Sequence, residues 1–310
     1  MMDNPTVSVV IAAYNSAGCL RDAVESVRRQ TYQDFEVVVV DDGSTDNTWG
    51  IIEELQASWP KLRGIRAEHG GTPVNKNRGI AAARGPWIAL LDADDLWRPD
   101  KLQRCMDYLA EHPELSIVYT PMTPTRMDGT PMSGHSKKCH GGRITEHLFN
   151  SIFVHDPAVV FHRRVVQTCG ALDESIPVGS GHEFWLRVST KFEFGLIDEP
   201  LAVRRWHEKS LTRSNRAAGM CLRAAMLERF YLQRGGKEII PRQQARRRLS
   251  NVHTSAGKAL MRQGDYAKAM EFLRKAIQYR PGDLKARMWG FACRLARLFQ
   301  HGRPPHRSAG

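Results

Sequence analysis

The sequence predicts an α/β fold, a mixed, mostly parallel sheet flanked by helices, followed by an all-α C-terminal region. Three observations carry that prediction. Short β-branched runs alternate with amphipathic stretches through the first two thirds of the 310-residue chain. Several of the runs, such as FEVVVV and WIALL, are apolar without a break, as strands covered on both faces are. Beyond Asn215 no strand pattern remains.

The elements follow in order. TVSVVIAAYN opens the chain as a buried strand, and residues 17–29 read as a helix with Ala23, Val24 and Val27 on one face. FEVVVVDD is the next strand. Ser44 and Asp46 then stand where they can cap a helix through TWGIIEELQASW. A strand at 62–67 and a helix at 74–84 lead to the strand WIALLD, a helix at 99–111 and the strand SIVYT. Residues 121–155, rich in Gly, Pro, Thr, Ser and Lys, read as a long loop of the kind that forms lids or acceptor-binding segments. AVVF and FGLID then flank a helix at 183–190.

The C-terminal part differs in composition. From Arg213 onward there are 22 Lys and Arg against 5 Asp and Glu, whereas the preceding residues carry 23 against 28. The formal net charge of +12 therefore belongs to the last third, which suggests an anionic partner. The expected organisation is an α/β domain over 1–212, a helical region over 213–300 and a disordered tail over 301–310. Residues 256–283 have helix-hairpin spacing and resemble one tetratricopeptide repeat. A lone repeat must pack on neighbouring helices or a protein partner. The last helix, 284–299, combines Met288, Trp289, Phe291, Leu295 and Leu298 with Lys285, Arg287, Arg294 and Arg297. Two readings stay open for it, an anionic membrane surface or a core-facing helix with a solvated basic face.

Six scattered cysteines without a CxxC pair fit a reducing compartment. The start of the chain lacks the basic n-region of a signal peptide, and no apolar run approaches 18 residues. The expected location is cytoplasmic, with peripheral attachment at the inner membrane face if the last helix binds lipid.

Chemistry concentrates at the strand ends. In sheets of this kind ligands sit beyond the carboxyl ends of the strands, where Tyr14-Asn15, Asp41-Asp42 and Asp92 to Asp95 all fall. In IALLDADDLWRPD, alternation along an extended chain puts Asp92 and Asp94 on one side. Two such carboxylates can share a hard divalent cation, Mn²⁺ or Mg²⁺, that also takes phosphate oxygens. Asp95 is left as a structural residue. In VVDDGSTDNT, capping explains Ser44 and Asp46 but does not need both Asp41 and Asp42, so one of these is expected to meet a ligand.

With these motifs in hand, the chain resembles the family-2 glycosyltransferases of GT-A fold. The matching pieces are VSVVIAAYN, SVRRQTYQDFEVVVVDDGSTDNT, NKNRGIAAARGPWIALLDADDLWRPDKL, CGALDE and FWLRVS…FGLIDEPLAVRRWHEKSLT, in the family's order over residues 5–212. The resemblance implies that Ala12, Tyr14 and Asp42 line a uridine pocket with Asp41 nearby. It also implies that Asp92 and Asp94 form the metal–nucleotide DXD site. Lys76 falls where the family often has an arginine, and a cation there suits a diphosphate. His207 matches the family's late histidine, a metal or phosphate contact. The family's Glu-Asp pair, aligned on Trp185, falls on Ser180 and Gly181, so the base is displaced. Glu183 is the candidate general base, with Asp173 or Glu174 behind it. The QxxRW signature of processive synthases keeps Arg205-Trp206 but has Ala202 for its glutamine, which points to one sugar per encounter.

The reading is therefore an inverting, non-processive transferase that uses a nucleotide-sugar donor, UDP-linked, and a saccharide or lipid-linked acceptor. Cell-surface polysaccharide or glycolipid synthesis is the expected setting. A nucleotidyltransferase and a non-catalytic adaptor on a degenerate transferase domain are the rivals. His135, Cys139 and His140 are short of the four ligands of structural zinc, and RQQARRRL lacks the aromatic interleaving of a nucleic-acid contact, so no specific nucleic acid is expected.

Overall fold

A computed structural model describes residues 4–132, 138–206 and 216–301. The chain divides into two compact units, Met1–Glu208 and Lys209–Gly310.

The first unit is built on a seven-stranded sheet. Its strands are β1 (Val7–Ala13), β2 (Phe35–Asp41), β3 (Leu62–Arg66), β4 (Trp87–Asp92), β6 (Ile117–Tyr119), β8 (Val159–His162) and β9 (Gly195–Leu196), in the order β3-β2-β1-β4-β8-β6-β9. β1 lies between β2 and β4, and β3, β2, β1 and β4 run parallel. β8 is antiparallel to both β4 and β6, which makes the sheet mixed. The continuous apolar runs become strands because helices cover both faces: every residue of β2 is buried, and Val7, Val9, Ile11, Val37 and Val39 pack with Leu20, Val24 and Val27. Those last three lie on α1 (Leu20–Arg28), at the helical spacing seen in the sequence. α2 (Thr48–Ser58), α3 (Thr72–Ala82) and α4 (Lys101–Glu111) complete the alternating half.

α3 lies unusually close to the sheet. A Cβ on its Gly79 would stand 2.3 Å from Val10 Cγ1, so only glycine permits this approach. One turn earlier, the same helix carries Lys76.

A second, three-stranded sheet of order β5-β10-β7 comprises β5 (Leu96–Trp97), β7 (Met122–Arg126) and β10 (Ala202–Trp206). Here the structure corrects the expected long loop at 121–155, which contains β7 and the helix α5 (Thr145–Asn150). β7 is the edge strand of this sheet, with β10 on one side and only an isolated bridge from Thr125 to Pro131 on the other among the described residues, so Pro124 is tolerated there. α6 (Arg164–Cys169) and α7 (Ser180–Val188) follow β8, and Asp156–Ala158 form a 3-10 turn just before it.

The second unit is helical: α8 (Arg216–Gln233), α9 (Gly236–Ile239), α10 (Arg242–Arg262), α11 (Tyr266–Tyr279) and α12 (Leu284–His301). α10 and α11 form a hairpin whose turn places Gly264 at φ +80°, and the Asp265 side chain caps α11 by accepting from the Lys268 N–H. Ala269, Met270 and Leu273 of α11 pack with Ala217, Leu260 and Cys293. α12 buries Ala286 and Cys293 and leaves Leu284, Met288, Phe291, Leu295 and Leu298 exposed. No helix among the described residues is long and apolar enough to cross a membrane.

Candidate active site

Sheet register builds the site. Ala12 of β1 pairs with Val40 of β2 on one side and with Asp92 of β4 on the other, and Ala13 pairs with Asp41. The carboxyl ends of three adjacent parallel strands thus bring Ala12, Asp41 and Asp92 onto one edge.

Past β1 the chain turns at Asn15, whose φ of +47° is one that asparagine adopts more readily than most residues. Its Oδ1 accepts from the Thr45 N–H at 2.9 Å, and its own N–H donates to Ser44 Oγ at 2.9 Å. Ser44 therefore braces the β1 turn, which corrects its expected role as a cap of α2. Asp46 does not take the capping position either, which falls on Asn47; one residue earlier, it accepts from the Thr48 N–H at 3.0 Å in a local turn. The turn leaves the Tyr14 ring 46 % exposed, with its centroid 4.4 Å from that of His69.

Asp42 is buried and accepts from the backbone N–H groups of Gly70 and Gly71, at 2.7 and 2.9 Å. Its Oδ2 also lies 3.1 Å from His69 Nδ1. The carboxylate fixes the loop that enters α3, and His69 links it to Tyr14. Asp41 is fully buried; its Oδ1 accepts from the Ser44 N–H at 3.3 Å, while Oδ2 has no hydrogen-bond partner. Buried carboxylate oxygens are normally satisfied, so this orphan marks a place for a donor hydrogen.

Lys76 is the electrostatic centre. Its side chain is 4 % exposed, and Nζ lies 2.6 Å from Asp92 Oδ1 and 2.6 Å from Asp156 Oδ2. Burial works against the charge, but the two carboxylates outweigh it and hold the ammonium above the ordinary lysine range. Asp92 is pushed upward by desolvation and by the neighbouring Asp156 and Asp94, against the pull of Lys76. Asp156 goes the other way, because Lys76 and a hydrogen bond from Trp185 Nε1 at 2.7 Å outweigh its burial.

The acidic turn departs from the extended geometry expected of it. β4 ends at Asp92, and the Asp95 N–H donates to the Asp92 carbonyl at 3.0 Å, closing a turn around Ala93 and Asp94. The placing of Asp92 and Asp94 therefore comes from a turn and not from strand alternation. Arg205 of β10 clamps this turn. Its N–H donates to Asp95 Oδ1 at 3.0 Å and its Nε to the Asp94 carbonyl at 2.6 Å, while Nη1 pairs with Asp22 at 2.7 Å. Asp95 is held well above the usual carboxylate range, first by burial and then by Asp92 and Asp94.

The charge balance tests the fit of a cation. Asp92 and Asp156 share the one charge of Lys76, Asp94 and Asp95 stand beside them on the acidic turn, and the Arg205 guanidinium pairs with Asp22. Negative charge is in excess, as a divalent cation requires. Among the described residues no three His, Cys, Asp or Glu side chains group closely enough to hold a metal alone. A cation here would take the remaining ligands from phosphate oxygens and water, in the usual manner of Mg²⁺. His207 and His135 lie outside the described residues.

Glu183 is placed apart from the Lys76 cluster by its position on α7. It is buried on α7 and pairs with Arg187 at 3.1 Å, and that arginine also donates to the carbonyls of Cys169 and Ala171. Gly181 and Trp185, one turn apart, face Asp156, whereas Glu183 lies between them in sequence and so on the far side of the helix. Asp173 accepts from the Ser175 N–H at 3.1 Å, and Glu174 accepts from Asn77 at 2.8 Å. Sequence reasoning missed Asp156, His69 and the clamp made by Arg205. His69 carries no motif, and Asp156 is 80 residues from its partner Lys76.

Residues 8–170, more than half of the chain, match the model of glycosyl transferase family 2. The chain belongs to this family. It is 47 % identical over 147 residues to an uncharacterized glycosyltransferase of Nostoc sp., covering 47 % of this chain and 45 % of that one. It is 31 % identical over 196 residues to the chondroitin synthase of Escherichia coli (63 % and 28 %). With a putative teichuronic acid biosynthesis glycosyltransferase of Bacillus subtilis, identity is 32 % over 129 residues (41 % and 51 %). The chain spans about half or less of the length of these curated relatives. Among solved structures, TarS of S. aureus, residues 1–349, superposes with a TM-score of 0.64 at 18 % identity, covering 97 % of this chain and 93 % of that one. The mannosyltransferase PcManGT of Pyrobaculum calidifontis, in complex with GDP-Man and Mn²⁺, gives 0.58 at 19 % identity (96 % and 87 %). At such identities the likeness shows the fold, which is the GT-A fold of family 2.

Proposed function

We propose that this family-2 member transfers a sugar, with inversion, from a nucleotide-diphosphate donor to an acceptor hydroxyl. The observation that carries the reading is Lys76, a buried cation held between two carboxylates at the edge where β1, β2 and β4 end. A uridine base would lie against the exposed ring of Tyr14 beside Ala12, with Asp42 and the orphan oxygen of Asp41 accepting its N–H or ribose hydroxyls. The donor's diphosphate would meet Lys76 and the acidic turn. Mn²⁺ or Mg²⁺ held there by Asp92 and Asp94 would neutralise charge on the leaving diphosphate.

The chain's own residues do the rest. Lys76 offers a fixed positive charge that needs no reorganisation when charge develops on the leaving group. Arg205 keeps the acidic turn folded, so the spacing of Asp92 and Asp94 is set before substrate arrives. A saccharide or lipid-linked acceptor supplies the nucleophilic oxygen. The curated relatives named for chondroitin and teichuronic acid synthesis support a polysaccharide setting. The exposed apolar stripe of α12, flanked by Arg287 and Arg294, supports an acceptor presented at an anionic membrane surface on its cytoplasmic side.

Calorimetric titration with UDP in the presence of Mn²⁺ tests the donor site. Asp94→Ala should weaken Mn²⁺-dependent UDP binding at least tenfold, about 1.4 kcal/mol. Unchanged binding would remove the site assignment. Release of UDP from a sugar nucleotide, without pyrophosphate, separates sugar transfer from nucleotidyl transfer, and turnover of any donor excludes a non-catalytic adaptor.

A further inference from the structure

We propose that Asp156 is the general base of the transfer, a carboxylate delivered from the 3-10 turn before β8 to the place where an acid on α7 would otherwise stand. The inference rests on the transferase reading above and assigns its acceptor side.

The geometry starts from an absence on α7. The Glu-Asp pair expected from the family falls on Ser180 and Gly181 when aligned on Trp185. A Cβ built on Gly181 would lie 2.5 Å from Asp156 Oδ1, 2.8 Å from Oδ2 and 2.9 Å from Cγ. The Asp156 carboxylate therefore rests against the Gly181 backbone, in the space where a side chain at 181 would begin. An acid at 181 and an acid at 156 cannot both occupy that space, so one has taken the place of the other.

The carboxylate is positioned as a reacting group must be. Trp185 Nε1 donates to Oδ1 at 2.7 Å and Lys76 Nζ donates to Oδ2 at 2.6 Å, which fixes its plane. Trp185 is itself fully buried, with its ring edge-on to Phe161 and Phe184. The turn that carries Asp156 is pinned by Trp97, whose Nε1 donates to the Pro157 carbonyl at 2.7 Å. Each carboxylate oxygen can accept two hydrogen bonds and these contacts use one on each, so acceptor capacity remains on both. The side chain keeps 11 % of its surface exposed, whereas Glu183 keeps 3 % and is paired with Arg187. Through Lys76 the base is one cation away from Asp92, so the acceptor and donor halves of the reaction share a single ammonium group.

The step balances without a co-reactant. The acceptor oxygen forms a bond to the anomeric carbon while its proton passes to an Asp156 oxygen. The bond from the anomeric carbon to the diphosphate breaks, and its electron pair leaves with the diphosphate. Negative charge arriving near Lys76 weakens its hold on Asp156, so an occupied donor site makes the carboxylate a stronger proton acceptor.

The test uses the full chain with Mn²⁺ and UDP-glucose, UDP-N-acetylglucosamine and GDP-mannose, with water as acceptor. Nucleoside diphosphate release gives kcat and KM, and calorimetry gives UDP affinity. Asp156→Asn should lower kcat by about 10²- to 10⁴-fold, the usual weight of a general base, while UDP affinity is not weakened, because removing this carboxylate leaves Lys76 freer to meet the diphosphate. Asp156→Ser should lose as much, and Asp156→Ser combined with Gly181→Asp should regain at least tenfold of it by returning the carboxylate to α7. A purely structural role would not yield that regain. The proposal is overturned if Asp156→Asn keeps more than a third of wild-type kcat, or if the double variant, folded by circular dichroism, is no faster than Asp156→Ser. Wild-type protein that binds no UDP and releases nothing from any donor overturns the transferase reading itself, a result distinct from turnover that ignores Asp156.

Discussion

Replacing Lys76 by methionine should cost this protein more stability than almost any other single change of similar volume. The ammonium is 4 % exposed and sits 2.6 Å from both Asp92 and Asp156, so methionine leaves two carboxylates facing each other without a cation. Breaking a buried pair by removing one partner costs about 3–5 kcal/mol. At about 2–4 °C per kcal/mol for a unit of this size, the melting temperature should fall by about 6–20 °C. The measurement is thermal unfolding of the full chain at pH 7.5, followed by tryptophan fluorescence. The deficit should shrink towards pH 4, because the stranded acids can then be protonated and no longer repel. Combined with Asp156→Asn, the cycle should show a coupling of about 0.5–3 kcal/mol, as residues in contact do. A loss below about 1 kcal/mol at pH 7.5, or additivity in the cycle, would refute the view of Lys76 as the buried hub of the site.

Two further changes probe the scaffold. Gly79→Ala puts a Cβ 2.3 Å from Val10 Cγ1 and should cost about 1–3 kcal/mol by overpacking, while lifting α3 and weakening UDP binding as Lys76 moves; a variant equal to wild type in both would refute the close approach. In the helical unit, burial lowers the His253 pKa from 6.5 to about 4 despite Glu228 nearby. The unfolded chain then binds the extra proton between those values, so stability is full above about pH 6.5 and falls as pH drops towards 4, by about 3 kcal/mol in total. Unfolding at pH 7.5 and 5 should show a smaller acid loss for His253→Gln than for wild type, and equal losses would remove the argument.

What the sequence disclosed and what it hid have separate physical causes. The parallel strands were legible because burial on both faces demands unbroken apolar runs such as FEVVVV. The gathering of acids at the strand ends was legible because charges flush against such runs need a reason to be there. β7 was hidden because MTPTR is an edge strand, and an edge needs neither an apolar run nor a full set of N–H donors. Asp156 was hidden because its meaning depends on contacts to residues 80 and 29 positions away, which no local pattern encodes. Glu183 is a different case. It is the nearest acid to the missing pair along the chain, yet a period of 3.6 residues already sets positions 181 and 183 on opposite faces of a helix. Nearness in sequence and helical geometry therefore point to different residues.

The contact between Gly181 and Asp156 also constrains how such a site can change by mutation. On the proposed role of Asp156, a chain with an acid at 181 that gained Asp156 first would set two carboxylates in one space, and one that lost its acid first would lose the reaction. The two exchanges are each unfavourable alone and acceptable together, so the fitness of either depends on the other. A small residue at 181 is therefore the trace that the proposal expects in family members. Where it occurs, an acid just before the β8 strand is the place to look for the missing base.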